Sequence, residues 1–203
     1  EYKKSLKEFK EKNQKKLPDS DSIDNNYESD IEKAQEYLIR GIVKSNSKDY
    51  KSAISDFDKA IKLNPNFDDA YNNRGVAKEY LTNYNGAIED YNKFIELNPD
   101  NAIVYYNRGK VKIKLNESKE ALEDFDKAIK LNPNFVEAYN NRGLIKSSNK
   151  NHIGAIDDFN KAIELKPDFN KAYFNRGLSK EKLSDHIGAI KDFTQVIESN
   201  PTN

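Results

Sequence analysis

The amino-acid sequence repeats itself every 34 residues, and this period restricts the possible folds more than any other feature of the chain. An Arg-Gly pair and a proline each recur five times at that spacing. The arginines are Arg40, Arg74, Arg108, Arg142 and Arg176, and the prolines are Pro65, Pro99, Pro133, Pro167 and Pro201. The sequence therefore divides into five copies without an insertion, at 34–67, 68–101, 102–135, 136–169 and 170–203. Such a period is typical of stacked units that each cover the next, and not of a domain built around one core.

The apolar residues within each copy follow the spacing of an α-helix. In the first copy Ala53, Phe57 and Ala60 are separated by four and three residues, which places them on one helical face. The recurring proline ends that helix because it has no amide hydrogen to donate and clashes with the preceding turn. Turn-forming residues such as Asn83 mark the middle of a copy.

The order of these residues resembles the tetratricopeptide repeat. Each copy reads Tyr-x-x-Arg-Gly and then, in most copies, Ala, Phe, Ala and Pro, and the copies cover 170 of 203 residues. The resemblance implies a pair of antiparallel helices, A and B, in each copy. It also implies an all-α, right-handed superhelical solenoid with a concave groove. Two positions depart from the family pattern, because arginine replaces the usual large apolar residue before the glycine and lysine replaces a tyrosine three residues after it.

The first 33 residues carry two blocks of opposite charge. Residues 1–16 contain seven lysines and three glutamates, and residues 17–33 contain six acidic residues and one lysine. Because Tyr2, Leu6 and Phe9 share one helical face, we predict a basic amphipathic helix followed by an acidic linker. We expect this helix to cover the first repeat. The alternative is that it docks onto a partner, onto the groove of another copy of the chain or onto an acidic membrane surface.

Asparagine occupies position 6, counted from the start of each copy, in four consecutive copies. At about 100° per residue, positions 2, 5, 6, 9 and 13 of helix A lie opposite the tyrosine and glycine, so we expect them to line the groove. An asparagine amide both donates and accepts, so a ladder of asparagines can hold an extended peptide whatever its sequence. The arrangement is similar to the asparagine ladder in the superhelix of the glycosyltransferase that adds N-acetylglucosamine to proteins. The candidate backbone-binding residues are Asn73, Asn107, Asn141 and Asn175.

Apolar and aromatic side chains accompany the asparagines on the predicted groove face. Tyr106 and Phe174, at position 5, are predicted to anchor side chains of the partner. Leu144 and Leu178, at position 9, are further candidates for partner binding. Both sets have a structural alternative. The asparagines are then only solvated, or were inherited together by near-identical copies, and the apolar residues pack between adjacent A helices.

Three charged residues recur in every copy, at positions 7, 11 and 23. They are the five arginines named above, Lys44, Lys78, Lys112, Lys146 and Lys180, and Asp56, Asp90, Asp124, Asp158 and Asp192. Because an unpaired buried charge is costly, we predict a structural Arg–Asp network with lysine at its rim. The rival is a lysine stripe that binds phosphate or nucleic acid. It is disfavoured by the zero net charge of the chain, which has 34 basic and 34 acidic residues.

Several classes of function are excluded by the residues that are missing. No cysteine is present, which excludes disulfides, thiolate metal sites and cysteine nucleophiles. The two histidines, His152 and His186, lie one copy apart and are expected in turns. All eight glycines lie at positions 8 or 19, which leaves none for a phosphate-binding loop. We therefore expect no catalytic residue, no bound metal and no cofactor.

These observations predict a non-enzymatic protein–protein interaction scaffold that binds an extended peptide or partner segment in its groove. A structural spacer or self-association segment of a longer repeat protein is the alternative. The expected partner is a protein or peptide, and homo-oligomerisation through an uncapped fifth copy is a second mode of association. We expect neither nucleic-acid binding nor a membrane span, since the longest apolar run, residues 102–106, is too short. The chain is expected to be soluble, with the cytoplasm favoured.

Overall fold

The computed structural model describes residues 25–199, and this part of the chain forms ten α-helices and no β-strand. The helices are α1 (Asn25–Asn46), α2 (Tyr50–Leu63), α3 (Asp68–Tyr80), α4 (Tyr84–Leu97), α5 (Ala102–Lys114), α6 (Ser118–Leu131), α7 (Val136–Ser148), α8 (His152–Leu165), α9 (Asn170–Lys182) and α10 (His186–Ser199). They belong to two compact units, which divide between Pro99 and Asp100. The predicted amphipathic helix of residues 1–16 lies outside the described residues.

Each 34-residue copy forms one helix pair, as the sequence predicts. The odd-numbered helices are the A helices, and each packs against the B helix that follows it in the chain. Within each unit a B helix also packs against the A helix of the next copy. The predicted all-α class and the pairing of helices are therefore confirmed.

Helix α1 begins nine residues before the first copy. It starts at Asn25 and continues through the boundary at residue 34 to Asn46. The part of the predicted acidic linker that the structure describes, residues 25–33, is helical and continuous with helix A of the first copy. Neither proline nor glycine interrupts residues 25–40, so nothing in the sequence breaks the helix before it enters the first copy.

The turn between helix A and helix B contains a left-handed residue at the same position in every copy. Its position 15 adopts the left-handed conformation, with φ between 60° and 64°, although none of these residues is glycine. The residues are Lys48, Thr82, Asn116, Lys150 and Ser184. Next to them, Asn83 closes the turn by accepting a hydrogen bond from the amide of Gly86 at 3.2 Å, which caps helix B. The predicted turn residue Asn83 is thus the helix cap.

Helix A and helix B approach closely because glycine stands at position 8 of helix A. A Cβ atom on Gly143 would lie 2.7 Å from Cε1 of Phe159, inside the closest real contact distance. The aromatic residue at position 24 fills this space. In four copies this residue is fully buried: Phe57, Tyr91, Phe125 and Phe159. The recurring glycine is therefore explained by packing of the ring against the helix backbone.

Adjacent copies pack through positions 3 and 10 of helix A. Ala70 and Ala77 of α3 are fully buried in one apolar cluster with Phe57 of α2. In the second unit Ala172 is buried in the same way against Phe159. The helical-wheel argument placed packing on the side of the tyrosine and glycine and did not single out these two positions, which pack against the preceding copy.

Candidate functional site

A network of buried ion pairs holds each helix A against its own helix B. The five position-23 aspartates are 1–3% exposed. In the fourth copy, Arg142 donates to Asp158 twice, from Nε at 2.9 Å and from Nη2 at 2.5 Å. Lys146 Nζ completes the group at 2.8 Å from the same carboxylate. Equivalent pairs recur in all five copies, so the predicted Arg–Asp network with lysine at its rim is confirmed.

The same arginines also join neighbouring copies. Arg142 Nη1 lies 2.7 Å from Asp126 Oδ1 of the preceding helix B. Arg74 reaches Asp58 in the same way at 2.6 Å, and Arg176 reaches Asn160 at 2.7 Å. The residue at position 23 therefore pairs with the arginine of its own copy, and the residue at position 25 pairs with the arginine of the next copy. Because each lysine of the recurring stripe is paired with a buried carboxylate, the stripe has a structural use that does not require phosphate or nucleic acid.

The network makes stability depend on pH, and we expect the chain to be destabilised in acid. Burial alone would raise the pKa of the Asp56 and Asp192 carboxyls, but hydrogen bonds from arginine and lysine outweigh it and hold each pKa below the ordinary value. A depressed folded-state pKa stabilises the fold above the pKa of the unfolded chain, near 4, and this contribution is lost as pH falls further. Thermal melts followed by circular dichroism should show a lower melting temperature at about pH 3 than at pH 7. An unchanged melting temperature would contradict this role.

The four ladder asparagines are half-buried on successive A helices. Asn73 donates to the carbonyl of Asp69 at 2.8 Å, within its own helix. In the second unit Asn141 donates to the Tyr106 hydroxyl at 3.3 Å, and Asn175 donates to Asn140 Oδ1 at 2.9 Å. The side-chain NH2 groups of these three asparagines therefore already donate within the chain. A bound peptide would have to donate to their side-chain carbonyl oxygens or replace one of these internal hydrogen bonds.

Tyr106 lies between the core and the predicted groove. Its ring packs against Phe125 and Phe135, with centroids 5.9 Å and 4.7 Å away, and the side chain is half-buried. Its hydroxyl accepts the bond from Asn141. The structure thus places Tyr106 mainly as a packing residue whose polar end orients a ladder asparagine.

A cleft in the second unit brings together four of the eight candidate residues. Its volume is about 450 Å³. We name it the second-unit cleft; it is lined by Asn140, Asn141, Leu144, Asn170, Lys171, Phe174, Asn175 and Val196. Phe174 and Leu144 are 48% and 43% exposed. Leu178, one turn beyond Phe174, is 40% exposed but does not line the cleft.

Four residues that line the second-unit cleft were not among the candidate site residues, although two of them, Asn140 at position 5 and Lys171 at position 2, stand at positions predicted to line the groove. Asn140 pairs with Asn175 across two copies, and this link was not visible in a single-helix projection. Val196 stands at position 27, where most copies have alanine, and this departure was the available signal. Asn170, at position 1 and the start of helix α9, lies outside the positions that the groove-face argument assigned.

A second cleft lies in the first unit, with a volume of about 380 Å³. We name it the first-unit cleft; it is lined by Ile42, Ser45, Asn46, Lys48, Tyr50, Asn73, Val76 and Tyr80. Asn73 is the ladder residue that the structure places there. Tyr50 and Tyr80 stack with ring centroids 4.5 Å apart and planes within 3°. Sequence reasoning did not single out this pair.

Comparison with family models decides the family. Models described as tetratricopeptide repeat match residues 102–135, 136–169 and 171–203, and a model described as TPR repeat matches residues 47–79 and 82–116. This chain belongs to the tetratricopeptide repeat family. The family has the all-α solenoid class of stacked helix pairs, and its modules take protein partners.

Solved tetratricopeptide proteins share this fold. A crystal structure of MamA protein is 30% identical with a TM-score of 0.76, covering 83% of this chain and 92% of MamA. MamA from Desulfovibrio magneticus RS-1 is 23% identical with a TM-score of 0.77, covering 82% and 94%. YrrB, described as a TPR protein with an unusual peptide-binding site, is 24% identical with a TM-score of 0.71, covering 84% and 88%. The last two likenesses show the fold alone. No curated protein sequence matches the chain.

The described part of this tetratricopeptide chain contains no group of three histidine or acidic side chains arranged to hold a metal ion. His152, at the start of α8, lies 3.2 Å from the Ser147 hydroxyl through its Nδ1 atom. This contact joins the two sides of the turn between α7 and α8. Between residues 25 and 199, no helix is both long and apolar enough to cross a membrane.

Proposed function

We propose that this tetratricopeptide chain is a non-enzymatic scaffold that binds an extended peptide segment of a partner protein, and that the second-unit cleft is one of its binding sites. The observation that carries the proposal is the meeting of two exposed apolar side chains, Phe174 and Leu144, with the polar side chains of Asn141 and Asn175. An apolar anchor beside a few placed hydrogen-bonding groups is the usual composition of a recognition site.

The polar part of the second-unit cleft supports binding of a peptide backbone. Asn175 and Asn140 are joined at 2.9 Å, and Asn140 in turn lies 3.4 Å from Asn141 Oδ1. This chain of amides fixes the orientation of the side chains before a ligand arrives, which reduces the entropy lost on binding. Carbonyl oxygens with unused lone pairs can then accept from the amides of an extended chain.

The ionisable residues support a scaffold and not an enzyme. The buried aspartates of all five copies are each paired with arginine and lysine of the same copy. These carboxylates are therefore committed to holding the helices together. The proposed activity is binding, with a protein or peptide as the partner and no cofactor.

Substitutions drawn from other copies test the second-unit cleft without disturbing the fold. We expect Phe174→Asn and Leu144→Lys to weaken a bound peptide by about tenfold or more, because each removes a large apolar contact. Asparagine stands at the position of Phe174 in the second and fourth copies, and lysine stands at the position of Leu144 in the third. Ligands would be selected from a random peptide library displayed on phage, and dissociation constants measured by fluorescence anisotropy.

Ile153→Lys is the matched control for these variants. Ile153 is 67% exposed on α8 but does not line the cleft, and lysine stands at its position in the first and third copies. It should bind the selected peptides as the unaltered chain does. If all three variants bind the selected peptides with the affinity of the unaltered chain, the second-unit cleft is not the binding site. This result would favour the alternative of a structural or self-associating segment, which is supported by the exposed Ile190 and Ile197 of α10.

A further inference from the structure

The first-unit cleft contains an aromatic platform. Tyr50 begins helix α2 and Tyr80 ends helix α3, and their rings stack in parallel at 4.5 Å. Tyr50 is half-buried, whereas Tyr80 is 64% exposed. One face of the Tyr80 ring is thus supported by its neighbour while a large part of the residue remains in water. A rigid, exposed aromatic surface of this kind favours stacking by another planar group.

The fold does not require this aromatic pair. Tyr50 and Tyr80 stand at position 17 of one copy and position 13 of the next. In the second unit the equivalent pairs are Ser118 with Ser148 and His152 with Lys182. Those copies form the same helices, and position 15 of their turns has the same left-handed conformation. Because the helix pair and its turn form with serine, histidine or lysine at these positions, the repeat does not impose the two tyrosines, although Tyr50 also packs against the apolar cluster of its own unit.

The charge of the first-unit cleft favours an anionic ligand. None of its eight lining residues is acidic, and Lys48 is exposed at its edge. The turn fixes the backbone of Lys48, whose amide donates to the carbonyl of Ser45 at 2.9 Å. The neighbouring Asp49 accepts from the amide of Ser52 as the cap of α2 and does not line the cleft. A lysine at the edge of a cleft without carboxylates attracts an acidic group and disfavours a basic one.

We propose that the first-unit cleft binds an aromatic side chain that is flanked by an acidic residue in an extended peptide. The aromatic ring stacks against Tyr80, and the carboxylate pairs with Lys48. Ile42 and Val76 give the cleft an apolar lining for the peptide side chain, and Asn73 adds a polar side chain to the same lining. An arginine side chain, the other group that stacks well on tyrosine, is disfavoured because the cleft offers it no carboxylate. The inference rests on the proposed function, since it gives the chemistry of one ligand residue for the same kind of partner.

A tryptophan-containing probe tests this site directly, because the chain has no tryptophan of its own. The probe is the capped peptide acetyl-Gly-Asp-Trp-Asp-Gly-amide, titrated with the full chain and followed by the fluorescence and anisotropy of its indole. Comparison peptides replace both aspartates with asparagine or with lysine, or the tryptophan with leucine. We expect the order of affinity to be acidic, then neutral, then basic, and the leucine peptide to bind more weakly than the tryptophan peptide. A basic peptide that binds as well as the acidic one would overturn the assignment.

The variants again use residues that other copies carry. Tyr80→Ser introduces the residue found at the position of Ser148 and should weaken the acidic probe about three- to tenfold. Lys48→Asn introduces the residue found at the turn position of Asn116, where φ is 63°. It should weaken the acidic peptide to the level of the neutral one and leave the neutral peptide unchanged. The matched control is Lys150→Asn, which removes the same charge from the same turn of the fourth copy and should have no effect.

The outcomes also separate this inference from the proposed function. Circular dichroism must first show equal helicity for every variant. Loss of probe binding in Phe174→Asn with retention in Tyr80→Ser would place the probe in the second-unit cleft and reject the present inference. Retention in Phe174→Asn with loss in Tyr80→Ser would support it, even if the library-selected peptides show that the second-unit cleft binds nothing.

Discussion

Asp124→Asn should lower the free energy of unfolding by about 3–5 kcal/mol, because it removes the buried negative charge that Arg108 and Lys112 share. Asp124 is 3% exposed and accepts from Arg108 Nη2 at 2.6 Å and Nε at 3.0 Å, with Lys112 Nζ 2.8 Å away. For a chain of this size the melting temperature should fall by roughly 10 °C. Thermal and urea unfolding followed by circular dichroism measure both quantities.

The control for Asp124→Asn lies two residues further along the same helix. Asp126 also pairs with an arginine, Arg142, but its side chain is 61% exposed. Asp126→Asn should cost less than about 1 kcal/mol, since exposed ion pairs contribute little. Asparagine already stands at this position in the second and fourth copies. Similar effects of the two substitutions would show that burial does not set the strength of the network. Peptide binding at the second-unit cleft should survive both, because neither residue lines it.

Phe159→Ala should be comparably damaging, with a loss of about 3–5 kcal/mol of stability. The ring of Phe159 is fully buried against Ala155, Ala162 and Ala172, and it fills the space left by Gly143. Truncation opens a cavity at the point where two helices of one copy and the A helix of the next copy meet. A lower urea midpoint in equilibrium unfolding would report the loss.

Phe159→Tyr is the matched control, since tyrosine occupies the same position in the second copy. There the Tyr91 ring is fully buried, and its hydroxyl reaches Glu79 Oε2 at 3.4 Å. Burial raises the pKa of that phenol, so it stays protonated and can donate. In the fourth copy Ser147 stands where Glu79 does; its hydroxyl lies 3.2 Å from His152 Nδ1 and 3.1 Å from Ser179 Oγ, and it keeps one lone pair that can accept from a phenol. Phe159→Tyr should therefore unfold close to the unaltered chain. Equal losses in both variants would argue against a cavity as the cause.

The helix pairs and the charge network could be predicted because the period places each residue type at a fixed helical angle. Arginine and aspartate stand 16 residues apart in every copy, as Arg142 and Asp158 do in the fourth. Because an unpaired buried charge is costly, this spacing predicts that the two side chains pair. The bonds between copies were beyond this reasoning. Asn175 reaches Asn140 through rotamers that depend on the distance between two A helices, and no single-helix pattern contains that distance.

The candidate clefts were predicted only in part for a related reason. Phe174 and Leu144 were found because apolar residues on a polar face stand out in the sequence. The Tyr50–Tyr80 stack was not found because the two residues come from different copies and from opposite ends of their helices. Helix α1 starts at Asn25, nine residues before the boundary that the repeat period indicated, because neither proline nor glycine breaks the helix between them.

The packing of each helix only with its sequence neighbours has a consequence for how the chain reaches its structure. Within each unit the contacting helices are adjacent or next but one along the chain, and the side-chain bonds between copies join residues 16 to 35 apart. Among residues 25–199 no helix has to find a partner far away in the sequence, so closing any one of these contacts costs little loop entropy. Contact order is correspondingly low, which is the condition for fast folding. Any helix pair can begin the process, and its neighbours then add to a surface that is already formed.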